Sequence, residues 1–272
     1  MKARKILAII LLILGIGVTA YGGFFYGKEL LFTNKIEKYN GNGSYENKVV
    51  AISGDLVTDE KAYDIELQTE CDSAILLRDI KMLQWVNDDK GARLALANYE
   101  VGSFKVGEAT FENPEFYKDL TRTVSHGILK AGDIVLDNSV LDLLANTSFV
   151  KKTPVTNINE SGGFKYKLSP YNGAYVSASD EWSIGEVKVE LFEVKDEDLN
   201  DVTIVGTVKD NTLTDAKVLD GKLTSSEVKK EILSDYALYL LLACAGLVLV
   251  LISIILLVIN SKKKKQIQPT QN

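Results

Sequence analysis

The chain has 272 residues, with 31 basic against 37 acidic side chains and a formal net charge of −6. The cations gather at the two ends: Lys2, Arg4 and Lys5, then Lys262, Lys263, Lys264 and Lys265. The stretch between the ends keeps 24 basic against 37 acidic residues, about −13, which repels nucleic acid and excludes it as a partner.

Two apolar runs set the organisation. Residues 6–26 form 21 residues without a charge, and residues 236–259 form 24. About 20 apolar residues cross a bilayer as a helix, so both runs predict transmembrane spans. Cytoplasmic flanks carry the excess of Lys and Arg, so residues 1–5 and the basic tail 260–272 are expected in the cytoplasm. Residues 28–235 then lie outside it. That side is the exterior of a cell membrane in a bacterium, or the endoplasmic reticulum or nuclear-envelope lumen in a eukaryote. Val18-Thr19-Ala20 has the small residues of a signal cleavage site. The apolar run continues past it to Tyr26, beyond the length of a signal h-region, so an uncleaved anchor is expected. Gly23 and Gly27 make a G-x-x-x-G that can serve helix contact.

Past the first span, Asn40-Gly41-Asn42-Gly43-Ser44 marks 28–47 as a polar juxtamembrane linker. A β-rich domain is expected over 48–224. Residues 48–53 read as a buried strand ending at Gly54, and 75–85 as a strand of mixed exposure. Asn113-Pro114 predicts a helix start, with Pro at the first helical position and Glu115 in the first turn. Residues 132–137 enclose the short apolar strand Ile134-Val135-Leu136, and 138–144 predict a helix. Residues 163–169 and 186–194 alternate apolar and charged side chains, as half-buried strands do. Residues 202–208 are a continuous β-branched strand, and 217–223 can close a hairpin through Asp220-Gly221. Thr224-Ser225-Ser226-Glu227 is a capping box opening a connector helix over 225–235. No breaker separates it from the second span, so one helix is expected to run from Ser226 through the bilayer. Residues 49–60 and 202–213 share a strand–Gly–polar pattern, read as two unrelated strands rather than a duplication.

Chemistry-bearing patterns are sparse. His126 is the single histidine and sits in no motif. Cys71 is the single cysteine outside the spans, so the domain holds no internal disulfide, which fits a bacterial surface protein with a core of its own. It reads as a buried core thiol, since no neighbour is placed to lower its pKa. Zinc binding needs more His and Cys than the domain has. The acidic run Asp196-Glu197-Asp198-Leu199-Asn200-Asp201 resembles the start of a calcium loop but has Asp201 where Gly is needed and Thr207 where a bidentate Glu is needed, leaving a solvated turn. No metal, cofactor or catalytic residue is therefore assigned. The triplets at Asn42, Asn146 and Asn159 match the glycosylation pattern, which matters only in a eukaryote. Lys262, Lys263, Lys264 and Lys265 also suit anionic lipid, at about 1 kcal/mol for each Lys near the surface.

The sequence Ile52-Ser53-Gly54-Asp55-Leu56-Val57-Thr58-Asp59-Glu60, followed by Tyr63-Asp64, resembles the opening of the LUMA (transmembrane protein forty-three) family. Residues 75–85, ILLRDIKMLQW, resemble that family's Arg-containing strand ending in Gln-Trp. Asn113-Pro114, the stretch 132–136 and the strand at 185–189 fall in the family's order. Two departures stand out: a shortened Tyr-bearing segment at 94–99, and one C-terminal span where animal members have several. The same opening with Cys71 and Gln84-Trp85 is similar to the inter-span domain of GIDE/MULAN-type ligases. Their RING finger follows the second span, and residues 262–272 contain no Cys or His, so ligase activity is not expected.

Both resemblances imply a membrane-tethered interaction domain without an active site. The expected fold is α+β, a strand-dominated ectodomain on two transmembrane helices. The expected function is a non-catalytic scaffold organising other membrane proteins, copies of itself, or lipid. The competing readings are a hydrolase using His126 and a sensor or transport accessory subunit. Arg78, Gln84 and Trp85 match the best motif. A structural hydrogen-bond network is the expected role for Arg78 and Gln84, with a partner surface as the alternative. Trp85 is expected in the core, with an exposed partner-binding anchor as the alternative.

Overall fold

The computed structural model describes residues 2–41, 44–118, 121–156, 169–171, 174–176 and 183–265. The chain is mixed α+β and divides into two units, Tyr39–Lys222 and the joined termini Met1–Lys38 and Leu223–Asn272.

In Tyr39–Lys222, the β-branched strands Val49–Ser53 and Val202–Lys209 pair antiparallel. The sheet continues through Thr212–Asp220, Ile134–Leu136, Ile128–Ala131 and Val57–Glu60. The step from Ile134–Leu136 to Thr212–Asp220 is parallel. The helix Asn138–Asn146 buries Val140, Leu141, Leu144 and Ala145 in one cluster with Val50, Ile52, Ile204 and Leu213. That spacing repeats on one helical face, and burying it is what holds so short a helix. Asp137 caps the helix by accepting from the Ser139 amide and hydroxyl, and these bonds hold its carboxyl below the usual range.

The second sheet is built on the long strand Ile75–Asp88. Val187–Glu193 pairs with one edge, and Thr123–His126 then Gly91–Ala97 with the other. Ala174–Val176 and Ser169–Tyr171 extend the sheet past Val187–Glu193. Leu76, Ile80 and Met82 share a face with Val187, Val189 and Leu191 in a second apolar cluster, as strand alternation requires. The alternation over 186–194 is borne out by the regular in-and-out burial of Val187–Glu193. The strand expected at 163–169 lies outside the described residues up to 168, as do the triplets at Asn42 and Asn159.

Several expectations need correction. Residues 112–118 form no helix. The Asn113 side chain accepts from the Trp85 amide at 2.6 Å and donates to the Trp85 carbonyl at 2.8 Å, a substitute strand pairing that holds the chain extended. The late hairpin turns at Asp210-Asn211, not at Asp220-Gly221. Both turn residues have positive φ, 50° and 56°, as the primed turn of a twisted hairpin demands. The linker expected at 28–47 is helical to Thr33, and part of it belongs to the domain. Tyr45 is buried there, and the Tyr39 hydroxyl donates to the Ala131 carbonyl at 2.8 Å. The two segments of shared pattern lie side by side in one sheet but diverge. Gly54 has φ +70° and turns the chain, whereas Gly206 stays inside its strand.

In the terminal unit, Lys2–Thr33 and Ala237–Lys265 are helices long and apolar enough to cross a membrane. The capping box at Thr224 forms as expected and opens the helix Ser225–Asp235. That helix does not run on into the second apolar helix. Tyr236 leaves helical geometry at φ −101° and ψ 6°, and its amide bonds back only as far as Leu233 and Ser234.

The two long helices pack antiparallel. Ala8 lies beside Ser253, whose hydroxyl donates to the Ala8 carbonyl at 2.9 Å, and Gly15 lies against Gly246. A Cβ on Gly22 would stand 2.4 Å from the Tyr239 carbonyl, and one on Gly246 2.4 Å from Thr19 Oγ1. Gly23 and Gly27 have nothing within 4 Å, so the contact stripe is Gly15, Thr19 and Gly22 rather than the G-x-x-x-G singled out in the sequence. Backbones approach this closely only through small residues. In a chain with Ala8→Cys and Ser253→Cys and the native cysteines removed, oxidation should join the helices. Gly246→Leu should abolish that crosslink and Gly23→Leu should leave it, read as a mobility shift on non-reducing gels.

Candidate functional site

The long strand Ile75–Asp88 places Arg78 and Gln84 on the face that carries Leu76, Ile80 and Met82, inside the second cluster. A guanidinium there must be fully paired, because an unpaired buried charge is costly. Arg78 Nη1 donates to both Asp64 oxygens, at 2.9 and 2.8 Å, and Nε donates to the Thr121 carbonyl at 3.0 Å. Nη2 donates to the Glu66 carboxylate. The Arg78 and Asp64 side chains are each 2% exposed, while Glu66 is 37% exposed. Asp64 Oδ1 also accepts from the Glu66 and Leu67 amides at 3.0 Å. Asp64 thus ties the local turn and the sheet at one carboxylate.

Gln84 is fully buried. Its amide donates to the Tyr99 carbonyl at 2.9 Å and accepts from the Val101 amide at 3.0 Å. It stands in for a strand rung and holds 99–101 against the sheet. Trp85 points to the opposite face and is half-buried, outside both apolar clusters, which corrects its expected place in the core. Its ring meets Phe111 edge-on at 4.9 Å, and Phe111 stacks on Phe104 at 5.4 Å. The three residues of the motif therefore do different things. Asp64 and Glu66 complete the Arg78 cluster and were not singled out. Asp64 stands in an acidic stretch with Asp59, Glu60 and Glu66, and nothing local marks it out from them.

The other candidates are quickly placed. Cys71 is buried, and burial pushes its thiol pKa up, against the lowering effect of hydrogen bonds with Ser73. That suits an inert thiol. His126 ends the strand Thr123–His126, with Nε2 2.9 Å from the Asp142 carboxylate. Among the described residues no hydroxyl or thiol hydrogen-bonds that ring, and no group of His, Cys, Asp and Glu is placed to hold a metal. Asp196 accepts from the Thr58 amide and hydroxyl at 2.9 and 2.6 Å, so the acidic turn anchors a strand. Asn146 accepts from Arg122 at 2.8 Å and donates to the Asp142 carbonyl at 2.7 Å, and so is engaged at a helix end.

Arg78→Ala should cost about 3–5 kcal/mol, because it strands the buried Asp64 charge. Trp85→Ala should cost about 2 kcal/mol, roughly half the loss typical of a fully buried Trp. Thermal denaturation of the full chain in detergent, followed by fluorescence for Arg78→Ala and by circular dichroism for Trp85→Ala, checks the order. Compared with known proteins, the chain matches no family model, no curated protein and no solved structure.

Proposed function

We propose that this chain is a two-pass membrane scaffold of LUMA-like type, with Tyr39–Lys222 as an extracytoplasmic interaction domain and both termini in the cytoplasm. The observation that carries the reading is the outward face of the helix pair. Ile13 is 65% exposed, Phe24 67% and Leu241 66%, and similar residues continue along both helices. In water each such side chain would lose the free energy of burial, about 25 cal/mol per Å². In a bilayer the same surface is solvated by lipid. Antiparallel packing brings the two basic ends to the same side, where positive flanks favour the cytoplasm. Tyr21, Phe25, Tyr236 and Tyr239 cluster at the opposite end, with Phe25 and Tyr239 stacked at 5.1 Å. Aromatic side chains of this kind favour the membrane–water interface.

The interaction role is supported by how the motif residues are used. Asp64, Arg78 and Gln84, from the two segments that carry the LUMA resemblance, are consumed by architecture. The partners are other membrane proteins or further copies of the chain, with Lys262, Lys263, Lys264 and Lys265 meeting anionic lipid. A bacterial cell membrane fits the disulfide-free domain. The second reading, a hydrolase, is favoured by the His126–Asp142 hydrogen bond alone.

Introduced cysteines test the topology in a chain free of its own. Ser44→Cys should react with an impermeant reagent on intact cells and Ser261→Cys should not; reaction of both would refute the arrangement. His126→Ala should leave the cellular phenotype of the wild-type chain unchanged at equal abundance, and a loss of function at that abundance would favour the hydrolase.

A further inference from the structure

We propose that a recess over Leu77 and Phe192 binds a small amphipathic anion, with a carboxylate or phosphate head held by Arg122 and Lys152. The recess measures about 370 Å³ and is open to solvent, with Arg122 exposed at its rim, Lys152 half-buried, and Asp79, Asn98 and Asn146 also on its walls. Two cations meeting at one recess is unexpected in a domain as acidic as this one. Among the described residues neither forms an ion pair with a carboxylate.

Their recorded partners are neutral. Arg122 Nη2 donates to Asn146 Oδ1 at 2.8 Å. Lys152 Nζ donates to the Thr147 carbonyl at 2.6 Å and reaches the Val150 carbonyl at 3.4 Å. Burial, and then the Arg122 charge, push the Lys152 pKa down. Lys152 bonds the Thr147 carbonyl at the C-terminal end of the helix Asn138–Asn146, so capping accounts for its place. The Arg122 bond to the Asn146 side chain uses one of the five N–H groups of the guanidinium.

Asp79 does not fill the gap. Its Oδ1 accepts from the Ile80 amide at 3.1 Å, and Lys81 stands 3.6 Å from its other oxygen. The tail of the ligand follows from the neighbouring space. A second recess of about 320 Å³ shares Asn98 and Arg122 with the first and is lined by Ile80, Phe116 and Tyr117. Leu77 and Ile80 face opposite sides of the long strand, so a hydrocarbon chain from a head group at Arg122 reaches this apolar and aromatic surface by passing Asn98 and Arg122 at the strand edge between the pairings at Arg78 and Met82.

The test uses the full chain in nanodiscs, with thermal midpoint read against ligand concentration. Hexanoate and hexyl phosphate supply the two head groups, acetate lacks the tail, and hexanamide lacks the charge. At least one hexyl anion should raise the midpoint saturably, and hexanoate or hexyl phosphate should bind at least about tenfold tighter than acetate, given the added methylenes. Arg122→Gln with Lys152→Gln should remove the effect. The proposal fails if neither hexyl anion gives a saturable shift, if hexanamide matches them, or if the double variant responds as the parent does. Should the double variant not fold, the comparison with hexanamide on the unaltered chain decides.

Discussion

The buried pair of Arg78 and Asp64 governs the arrangement of the second sheet. A guanidinium with 2% exposure is tolerable only where its donors meet acceptors, and two chain segments supply them: Asp64 with Glu66, and Thr121. The segment 61–73 has little regular structure, only the short pairing of Tyr63–Asp64 with Thr69–Glu70. The Arg78–Asp64 contact adds to the burial of Ala62, Leu67 and Cys71 and to the Asp72 amide bond with Glu193 in holding it over the second sheet. An apolar pair of the same shape could be as stable or more so. What the charged pair adds is register, because a one-residue slip of the long strand would turn Arg78 to the other face and leave Asp64 alone.

Much of the fold was legible where one local rule decides the outcome. The alternation of Val187–Glu193, the β-branched run Val202–Lys209 and the capping box at Thr224 each speak for themselves. The errors fall where a distant partner overrides the local signal. Asn113-Pro114 looks like a helix start until the Asn113 amide finds the Trp85 backbone. Asp220-Gly221 is the better turn pair by composition, yet the register of the paired strands puts the reversal at Asp210-Asn211. Tyr45 looked like part of a flexible linker because its Gly and Asn neighbours set the composition, whereas its ring, tilted against Tyr39 at 5.2 Å, belongs to the core. For the candidate site, Arg78 and Gln84 were legible as polar residues in an apolar strand. Asp64 was not, because nothing local says which acid a buried Arg will meet.

The two units cohere by different means, and the sequence reflects it. In Tyr39–Lys222, apolar side chains leave water, so large residues such as Ile52, Leu141 and Leu144 mark the core. Between the long helices no such force acts if both lie in lipid. Association then depends on close backbone approach and on bonds such as that from Ser253 to the Ala8 carbonyl. This explains why the informative residues of Lys2–Thr33 are Gly15, Thr19 and Gly22, and why a bare G-x-x-x-G was a poor guide to them. Glycine pairs are cheap in such helices, and only the facing backbone shows which are used.

The scaffold role proposed above requires a surface, and the long strand shows where burial runs out. Ile75 through Arg78 are buried on both faces, burial then alternates to Gln84, and Asn87 and Asp88 are exposed. Over that outer half Gly91–Ala97 is the pairing strand, and Trp85 stands opposite Leu94 and Leu83 opposite Leu96. Leu94 and Leu96 are 42% and 39% exposed. The motif strand therefore divides its work along its length. Arg78 and its carboxylates fix the inner half. Gln84, through Tyr99 and Val101, keeps the outer half ordered enough to hold a half-open aromatic and aliphatic surface in place. A partner that docks on an interaction domain gains most from apolar surface already held rigid, since less conformational entropy is lost on binding.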